Sequence, residues 1–131
     1  MTHTFFEKNS NYMVEKTFNI DQFVVEVSWA YDFTQLELVF DPEAGYWDEL
    51  VEKLDSGEWT HFMLKVAAYY DGREMASEFL GSIVAEDPAD WIREDEDGQV
   101  DEMVRSVVDA ARTEALNMIE ILKKDFLGVD N

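Results

Sequence analysis

Carboxylates are the side chains through which this sequence could do chemistry. Its 131 residues contain thirty Asp and Glu against ten Lys and Arg, which gives a formal net charge of −20 at pH 7. Carboxylates can bind a divalent cation, transfer protons as a pair, or present negative charge to a basic partner. Any single pair among so many is a chance event, so spacing has to decide between these uses.

The stretch REDEDGQVDEMV, residues 93–104, has the carboxylate density of a calcium loop. An EF-hand needs an oxygen ligand at its first position, glycine at its sixth and a bidentate Glu at its twelfth. With Gly98 at the sixth position, Arg93 takes the first and Val104 the twelfth. Neither residue can be the required ligand, which leaves only weak, nonspecific divalent binding. We expect no metal site and no cofactor.

Nucleophilic and transition-metal chemistry have little support. The chain has no cysteine and two histidines, His3 and His61. His61 opens a predicted strand, and we interpret it as a strand-edge residue rather than as a ligand or a base. The sequence has no Gly-x-Ser-x-Gly turn and no glycine-rich phosphate loop. We therefore expect no catalytic residue and predict that the protein is not an enzyme.

The composition indicates one folded domain, residues 1–131. Apolar residues make up 47% of the chain and aromatic residues 14%, which is too rich in core-forming side chains for a disordered protein. No apolar run approaches the length of a membrane span, and the N-terminus lacks a basic segment followed by an apolar one. With no cysteine, these features favour the cytoplasm.

The stretch from Trp59 to Val84 is the predicted centre of the fold. Asp71-Gly72 lies between two alternating apolar runs, a strong signal for a two-residue hairpin turn. Gly81-Ser82 in the second run indicates a bulge or a close backbone contact. The residues predicted to face the core are Phe62, Leu64, Val66, Ala68 and Tyr70 on the first strand, and Met75, Ser77, Phe79, Gly81 and Ile83 on the second.

Periodicity predicts the remaining elements. Strands are expected over Tyr12–Phe18, Gln22–Tyr31 and Gln35–Phe40, the last two as a pair that turns near Asp32. A short helix is predicted over Tyr46–Asp55, and Asp87-Pro88 should begin a single helical turn that buries Trp91 and Ile92. A long amphipathic helix runs from Val100 to Phe126 and ends at Gly128. Its predicted ion pairs are Asp101 with Arg105, Asp109 with Arg112, and Glu120 with Lys124.

These elements predict an α+β fold. We expect an antiparallel sheet of four or five strands, with the long C-terminal helix packed on one face and the short helix between strands. The second face of the hairpin, with Ala67 and Ala76, could pack on a second copy in a homodimer or on the N-terminal segment.

The negative charge is uneven along the chain. Residues 21–85 carry fourteen acidic and three basic side chains, residues 86–102 nine and one, and residues 103–131 five and four. Carboxylates at helical spacing lie roughly 5–6 Å apart, comparable to the spacing of charges along a nucleic-acid backbone. The predicted partner-binding residues are Asp48, Glu49, Glu52 and Asp55 on the short helix, and Asp90, Glu94, Asp95, Glu96 and Asp97 in the second acidic segment.

Two interpretations of this charge are open: a solvated surface that keeps the protein soluble, or a surface that binds a basic protein. Direct binding to nucleic acid or anionic membrane is disfavoured, because phosphates would meet carboxylates. In a salt-adapted domain the acidity would serve solvation alone, and folding would require molar salt.

A small, cysteine-free, strongly acidic domain of this kind resembles the DNA-mimic, anti-restriction and anti-CRISPR proteins of phages and mobile elements. It also resembles acidic immunity proteins, and its layout of hairpin, acidic link and helix is similar to that of uncharacterised phage proteins: WTHFMLKV…DG…EFLG…DEMVRSVVDAARTEAL. The first resemblance implies a non-enzymatic inhibitor that occupies the nucleic-acid-binding surface of a basic DNA-binding or nuclease protein. The alternative is an immunity protein that neutralises one basic nuclease toxin.

Overall fold

A computed structural model describes residues 11–128, which form a four-stranded antiparallel sheet with a long helix against one face. The strands lie in the sheet in chain order: β1 (Met13–Ile20), β2 (Phe23–Tyr31), β3 (Thr60–Tyr70) and β4 (Arg73–Ala85). The helices are α1 (Trp47–Asp55) between β2 and β3, α2 (Pro88–Glu94) and α3 (Gln99–Leu122). This arrangement confirms the predicted α+β fold.

The core lies between α3 and one face of the sheet. Val25, Val27, Leu64, Val66 and Val107 are fully buried there. Burying an aliphatic side chain of this size stabilises the fold by about 1.5–3 kcal/mol, so this layer supplies much of the driving force for folding. The apolar stripe predicted for the long helix is confirmed as its contact with the sheet over residues 100–111.

The hairpin turns lie together at one end of the sheet, which we call the turn end. The β3–β4 turn is at Asp71-Gly72, with φ of 50° and 78°, as the left-handed conformation of a type I′ turn requires. The β1–β2 turn begins at Asp21, with φ of 56°. At the opposite end, which we call the α1 end, β2 and β4 finish and β3 begins.

Strand β4 turns different residues toward the core than strict alternation predicts. Its register against β3 shifts between Ala68 and Tyr69 and again between Phe62 and Leu64, and an extra residue moves those beyond it to the other face. The second shift confirms the bulge expected at Gly81-Ser82. On β4 the predicted core positions Ser77, Phe79 and Gly81 prove wrong, Met75 and Ile83 do pack against the core, and Ala76 and Leu80 pack there as well. On β3 the predicted core residue Tyr70 is also wrong, because it lies at the turn and is 51% exposed.

The segment after β2 is not the predicted strand. Leu36–Leu38 form a 3₁₀ turn, and β2 pairs with β1 and β3 instead. Both hydrogen-bonding edges of β2 are therefore occupied. Asp32 also turns the chain away from the sheet, because its carboxylate accepts the amide of Thr34 at 2.9 Å.

The predicted helix boundaries agree closely with the structure. Asp87 caps α2, because its carboxylate accepts the Ala89 amide at 2.9 Å, as expected for an N-cap followed by proline. Beyond Leu122 the long helix continues as a wider π-helical turn, Lys123–Leu127, and Gly128 ends it with φ of 69°. Two of the predicted ion pairs are present, Asp101 with Arg105 and Asp109 with Arg112, whereas Glu120 pairs with Lys123 rather than with Lys124.

Candidate protein-binding surface

The two acidic segments leave the sheet from the same end. Tyr31, the last residue of β2, is opposite Phe62 near the start of β3, and Thr60 is opposite Ala85 at the end of β4. The connection that carries α1 and the segment that begins α2 therefore both start at the α1 end. We call Asp48, Glu49, Glu52 and Asp55 the α1 block, and Asp90, Glu94, Asp95, Glu96 and Asp97 the α2–α3 block.

Three carboxylates of the α1 block form a row on the exposed side of the helix. Asp48, Glu52 and Asp55 are four and three residues apart, so they lie above one another on one side. Together with Trp47 they line an open groove of about 600 Å³. Leu50 anchors the opposite side of the helix and is only 5% exposed. None of the three carboxylates makes an ion pair or a side-chain hydrogen bond within residues 11–128, so a partner can neutralise their charge.

Glu49 lies on a different side of α1, near the only base of that helix. Lys53 forms an ion pair with Glu58 at 2.7 Å. The hydrogen bond with Glu58, together with the charges of Glu58, Glu49 and Glu52, raises the pKa of Lys53 above its ordinary value despite the opposing effect of burial. Lys53 is therefore held as a cation beside Glu58, and of the carboxylate row it interacts by charge with Glu52, without forming an ion pair with it.

Asp95 of the α2–α3 block has a structural role. Its Oδ1 accepts the Val100 amide at 2.8 Å and its Oδ2 accepts the Asp101 amide at 3.0 Å. These amides belong to the first turn of α3, where no helical carbonyl can accept them. Asp95 therefore caps α3 with both oxygens, and little of its carboxylate remains for a partner.

The other members of the α2–α3 block differ in whether a basic side chain neutralises them. Asp90 forms an exposed ion pair with Arg93. Glu94, Glu96 and Asp97 have no such pairing within residues 11–128, and they line a cleft of about 140 Å³ with Trp91 and Gln99. The ring of Trp91 packs edge-on against buried Phe62, with 5.7 Å between centroids. A rigidly held indole thus lies beside three unpaired carboxylates. The α1 groove and this cleft share no lining residue.

Exposed apolar side chains beside α1 were missed by sequence reasoning. Phe33 is 87% exposed and Leu38 is 73% exposed, and Tyr31 and Tyr46 are about half exposed. We call these four residues the apolar loop. The strand predicted over residues 35–40 placed this segment in the sheet, so its exposure was not expected. Asp32 and Asp41-Pro42 are turn signals that could have indicated a loop. The rings of Tyr31 and Phe33 lie 6.5 Å apart between centroids, and exposed apolar side chains that lie together are typical of protein-binding surfaces.

His61 and Asp32 form a buried polar pair at the base of the apolar loop. Nε2 of His61 lies 3.7 Å from Oδ2 of Asp32, and the two side chains are 10% and 7% exposed. Oδ2 also accepts the Ser82 amide at 2.8 Å, which ties the end of β2 to the bulge of β4. Burial alone would raise the pKa of Asp32, but hydrogen bonds from Thr34 and Ser82, with the charge of His61, outweigh burial and lower it.

The surroundings of His61 and Asp32 indicate a structural role for the pair rather than a catalytic one. The His61 ring packs edge-on against Phe40 at 6.2 Å, and its Nε2 has no hydrogen-bond partner. His61 is the second residue of β3, and its side chain is largely buried. His3 lies outside the described residues.

Within residues 11–128, no three His, Asp or Glu side chains are grouped closely enough to hold a metal ion. None of the helices in the described range is both long and apolar enough to cross a membrane. In comparisons with protein-family models, curated proteins and solved structures, the chain matches none of them.

Proposed function

We propose that this protein is a non-enzymatic acidic inhibitor of the DNA-mimic type, which occupies the nucleic-acid-binding surface of a basic protein. The observation that carries the proposal is the unpaired row of Asp48, Glu52 and Asp55. Along most of α3, by contrast, acidic side chains have basic neighbours such as Arg105 and Arg112. Unneutralised charge in a regular row is what a cationic site adapted to phosphates would bind.

The carboxylates and the exposed apolar groups have different parts in this binding. Charged rows accelerate encounter with a basic surface and make association sensitive to salt. Arg side chains on the target can donate two parallel hydrogen bonds to one carboxylate, as they do to phosphate. Apolar anchors such as Trp91 and Phe33 would then slow dissociation, because buried aromatic contacts carry much of an interface's affinity. Such a complex would form in the cytoplasm, where the basic target acts.

A second candidate is an immunity protein that neutralises one basic nuclease. The apolar loop favours it, because Phe33 and Leu38 need a shaped apolar surface on the partner. Carboxylates alone would bind many DNA-binding proteins, whereas these side chains would discriminate among them. Salt separates the candidates: an apolar-anchored immunity complex would keep more of its affinity at high salt than a complex held mainly by charge.

The test begins with the purified protein as bait in a cell lysate, with and without competing DNA. A DNA-binding protein that competing DNA displaces would support mimicry, and a single nuclease held regardless of DNA would support immunity. Recovery of no partner at low salt would contradict both candidates. If folding also required molar salt, the acidic surface would serve solvation alone.

The second step uses the recovered partner and two charge-matched triple variants. Asp48→Asn with Glu52→Gln and Asp55→Asn removes the row, and we expect binding to weaken at least about tenfold at low salt. The control, Glu86→Gln with Glu102→Gln and Glu114→Gln, removes three exposed charges that lie outside both acidic blocks and make no ion pair within residues 11–128. Equal losses of affinity in both variants would mean that the row contributes only through the protein's net charge and not through its position.

A further inference from the structure

The C-terminal part of α3 extends beyond the sheet. Arg112 forms an ion pair with Asp21 in the β1–β2 turn, so the helix reaches the turn end there. At about 1.5 Å per residue, residues 112–127 continue roughly 22 Å further. We call this stretch the overhang. No strand lies against it among the described residues, because the sheet ends at its turns.

The overhang keeps the apolar pattern of the buried half of the helix. Ala115, Met118 and Leu122 continue the stripe that packs on the sheet as far as Ala111. Six large apolar side chains in it are 46–78% exposed: Leu116, Ile119, Ile121, Leu122, Phe126 and Leu127. Single exposed apolar residues are ordinary, but six large ones within residues 116–127 indicate an interaction surface.

The charge of the overhang differs from that of the rest of the chain. Three basic residues, Arg112, Lys123 and Lys124, balance three acidic residues, Glu114, Glu120 and Asp125. The whole protein carries −20, so two copies repel each other wherever their acidic surfaces approach. The overhang is neutral and lies at the end of the sheet opposite to α1, so repulsion there is weakest. Its neutrality also offers little to a basic partner.

We propose that the overhang pairs with the overhang of a second copy, and that the two helices run antiparallel. The apolar stripe is on the side of α3 that faces the sheet, so a second helix would lie in line with the sheet. A parallel second copy would place its own residues 99–111 in the space that the first copy's sheet fills. An antiparallel second copy keeps the two sheets at opposite ends of the helix pair.

The antiparallel arrangement also brings opposite charges together. The tip of the second helix, with Lys123 and Lys124, reaches the turn end of the first copy. That end carries Asp71, which has no ion pair within residues 11–128, and Asp21, which already pairs with Arg112 of its own copy. Two-fold symmetry repeats the contact at both ends of the pair. The homodimer surface is thus the overhang and not the second face of the hairpin, where Ala67 is 2% exposed and Ala76 packs against the core.

Sedimentation velocity of the full chain at about 0.15 M salt tests the pairing. We expect a concentration-dependent dimer. Ile119→Glu with Leu122→Glu should raise the dissociation constant at least about 100-fold, because it puts charges at the centre of an apolar interface. Phe33→Glu with Leu38→Glu makes the same change in charge at two exposed apolar residues of the other end, and it should leave the dimer intact. A chain that stays monomeric at high concentration, or equal effects of both variants, would overturn the proposal.

Single cysteines test the direction of the helices, since the chain has none of its own. Ile119 lies near the middle of the overhang, so Ile119→Cys should cross-link two copies upon mild oxidation. Phe126→Cys should not, because its counterpart lies at the far end of the pair, beyond the roughly 7 Å limit for a disulfide. Efficient cross-linking at both positions would indicate parallel helices and contradict the proposed geometry. Thermal unfolding of each variant checks that the fold is kept.

Discussion

The α1 block and the α2–α3 block look alike in the sequence but are used differently in the structure. In the α1 block, Asp48, Glu52 and Asp55 contact no base and no backbone amide among the described residues. In the α2–α3 block, Asp95 caps α3 with both carboxylate oxygens, and Asp90 pairs with Arg93. The α2–α3 block, although denser in acidic residues, therefore has fewer of its carboxylates free for a partner.

Local charge density is therefore a poor guide to how much charge is available to a partner. An acidic residue just before a helix is favourable because its oxygens accept orphan amides and its charge meets the positive end of the dipole. The three unpaired members, Glu94, Glu96 and Asp97, lie next to Asp95, the carboxylate that the fold needs. No member of the α1 row accepts a backbone amide within residues 11–128, although Asp48 meets the positive end of the dipole in the first turn of α1. The row can therefore serve a partner at little cost to stability.

The largest effect is expected at Asp32, a carboxylate more completely built into the fold than Asp95. Asp32→Asn replaces one acceptor oxygen by an amide donor, which then faces the backbone amide of Thr34 or of Ser82. A buried donor left without an acceptor costs about 1–3 kcal/mol of unfolding free energy. Urea denaturation at pH 7 measures this loss. A variant as stable as the native protein would show that the carboxylate does not hold the apolar loop.

The pH dependence of stability gives a second measurement on Asp32. Its pKa lies below the ordinary value of 3.8 in the folded protein, so the folded state favours the ionised carboxylate. The stabilisation is therefore present above pH 3.8 and is lost as the pH falls through the lower, folded-state pKa. Asp32→Asn should remove this part of the acid dependence, and an unchanged acid limb would contradict the assignment.

A smaller effect is expected for Asp95. Asp95→Ala removes the acceptor of two amides in the first turn of α3, and the loss of such a cap costs about 1–2 kcal/mol. Glu96→Ala in the same turn is the matched control and should change stability by less than about 0.5 kcal/mol. Urea denaturation of both variants measures the difference. Equal losses would mean that the block contributes only through its net charge.

Much of the fold was predictable from local patterns. The Asp71-Gly72 hairpin, the Asp87-Pro88 cap and the stripe on α3 each depend on residues close in sequence. The strand predicted over Gln35–Phe40 failed because its alternation says nothing of whether a neighbouring strand has a free edge. The core residues of β4 were misplaced for a related reason, since two bulges invert its faces and a single residue sets each of them.

The residues of the candidate site were predictable from the sequence, but their hydrogen bonds and their exposure were not. Spacing placed Asp48, Glu52 and Asp55 in one row, because helical geometry is local. It could not show that Asp95 accepts two amides, because that depends on the turn through Gly98 that returns the chain to it. Nor could it show that Phe33 and Leu38 are exposed, since exposure depends on which strands fill the sheet.

The smallest effect on stability is expected for the triple variant of the α1 row. Removing Asp48, Glu52 and Asp55 breaks no hydrogen bond or ion pair within residues 11–128, and it relieves repulsion in a protein of charge −20. Unfolding free energy at low salt should therefore stay within about 0.5 kcal/mol of the native value or rise slightly. Added salt should erase any gain, because salt screens exposed charges. A loss above about 1 kcal/mol would show that these carboxylates, like Asp95, serve the fold.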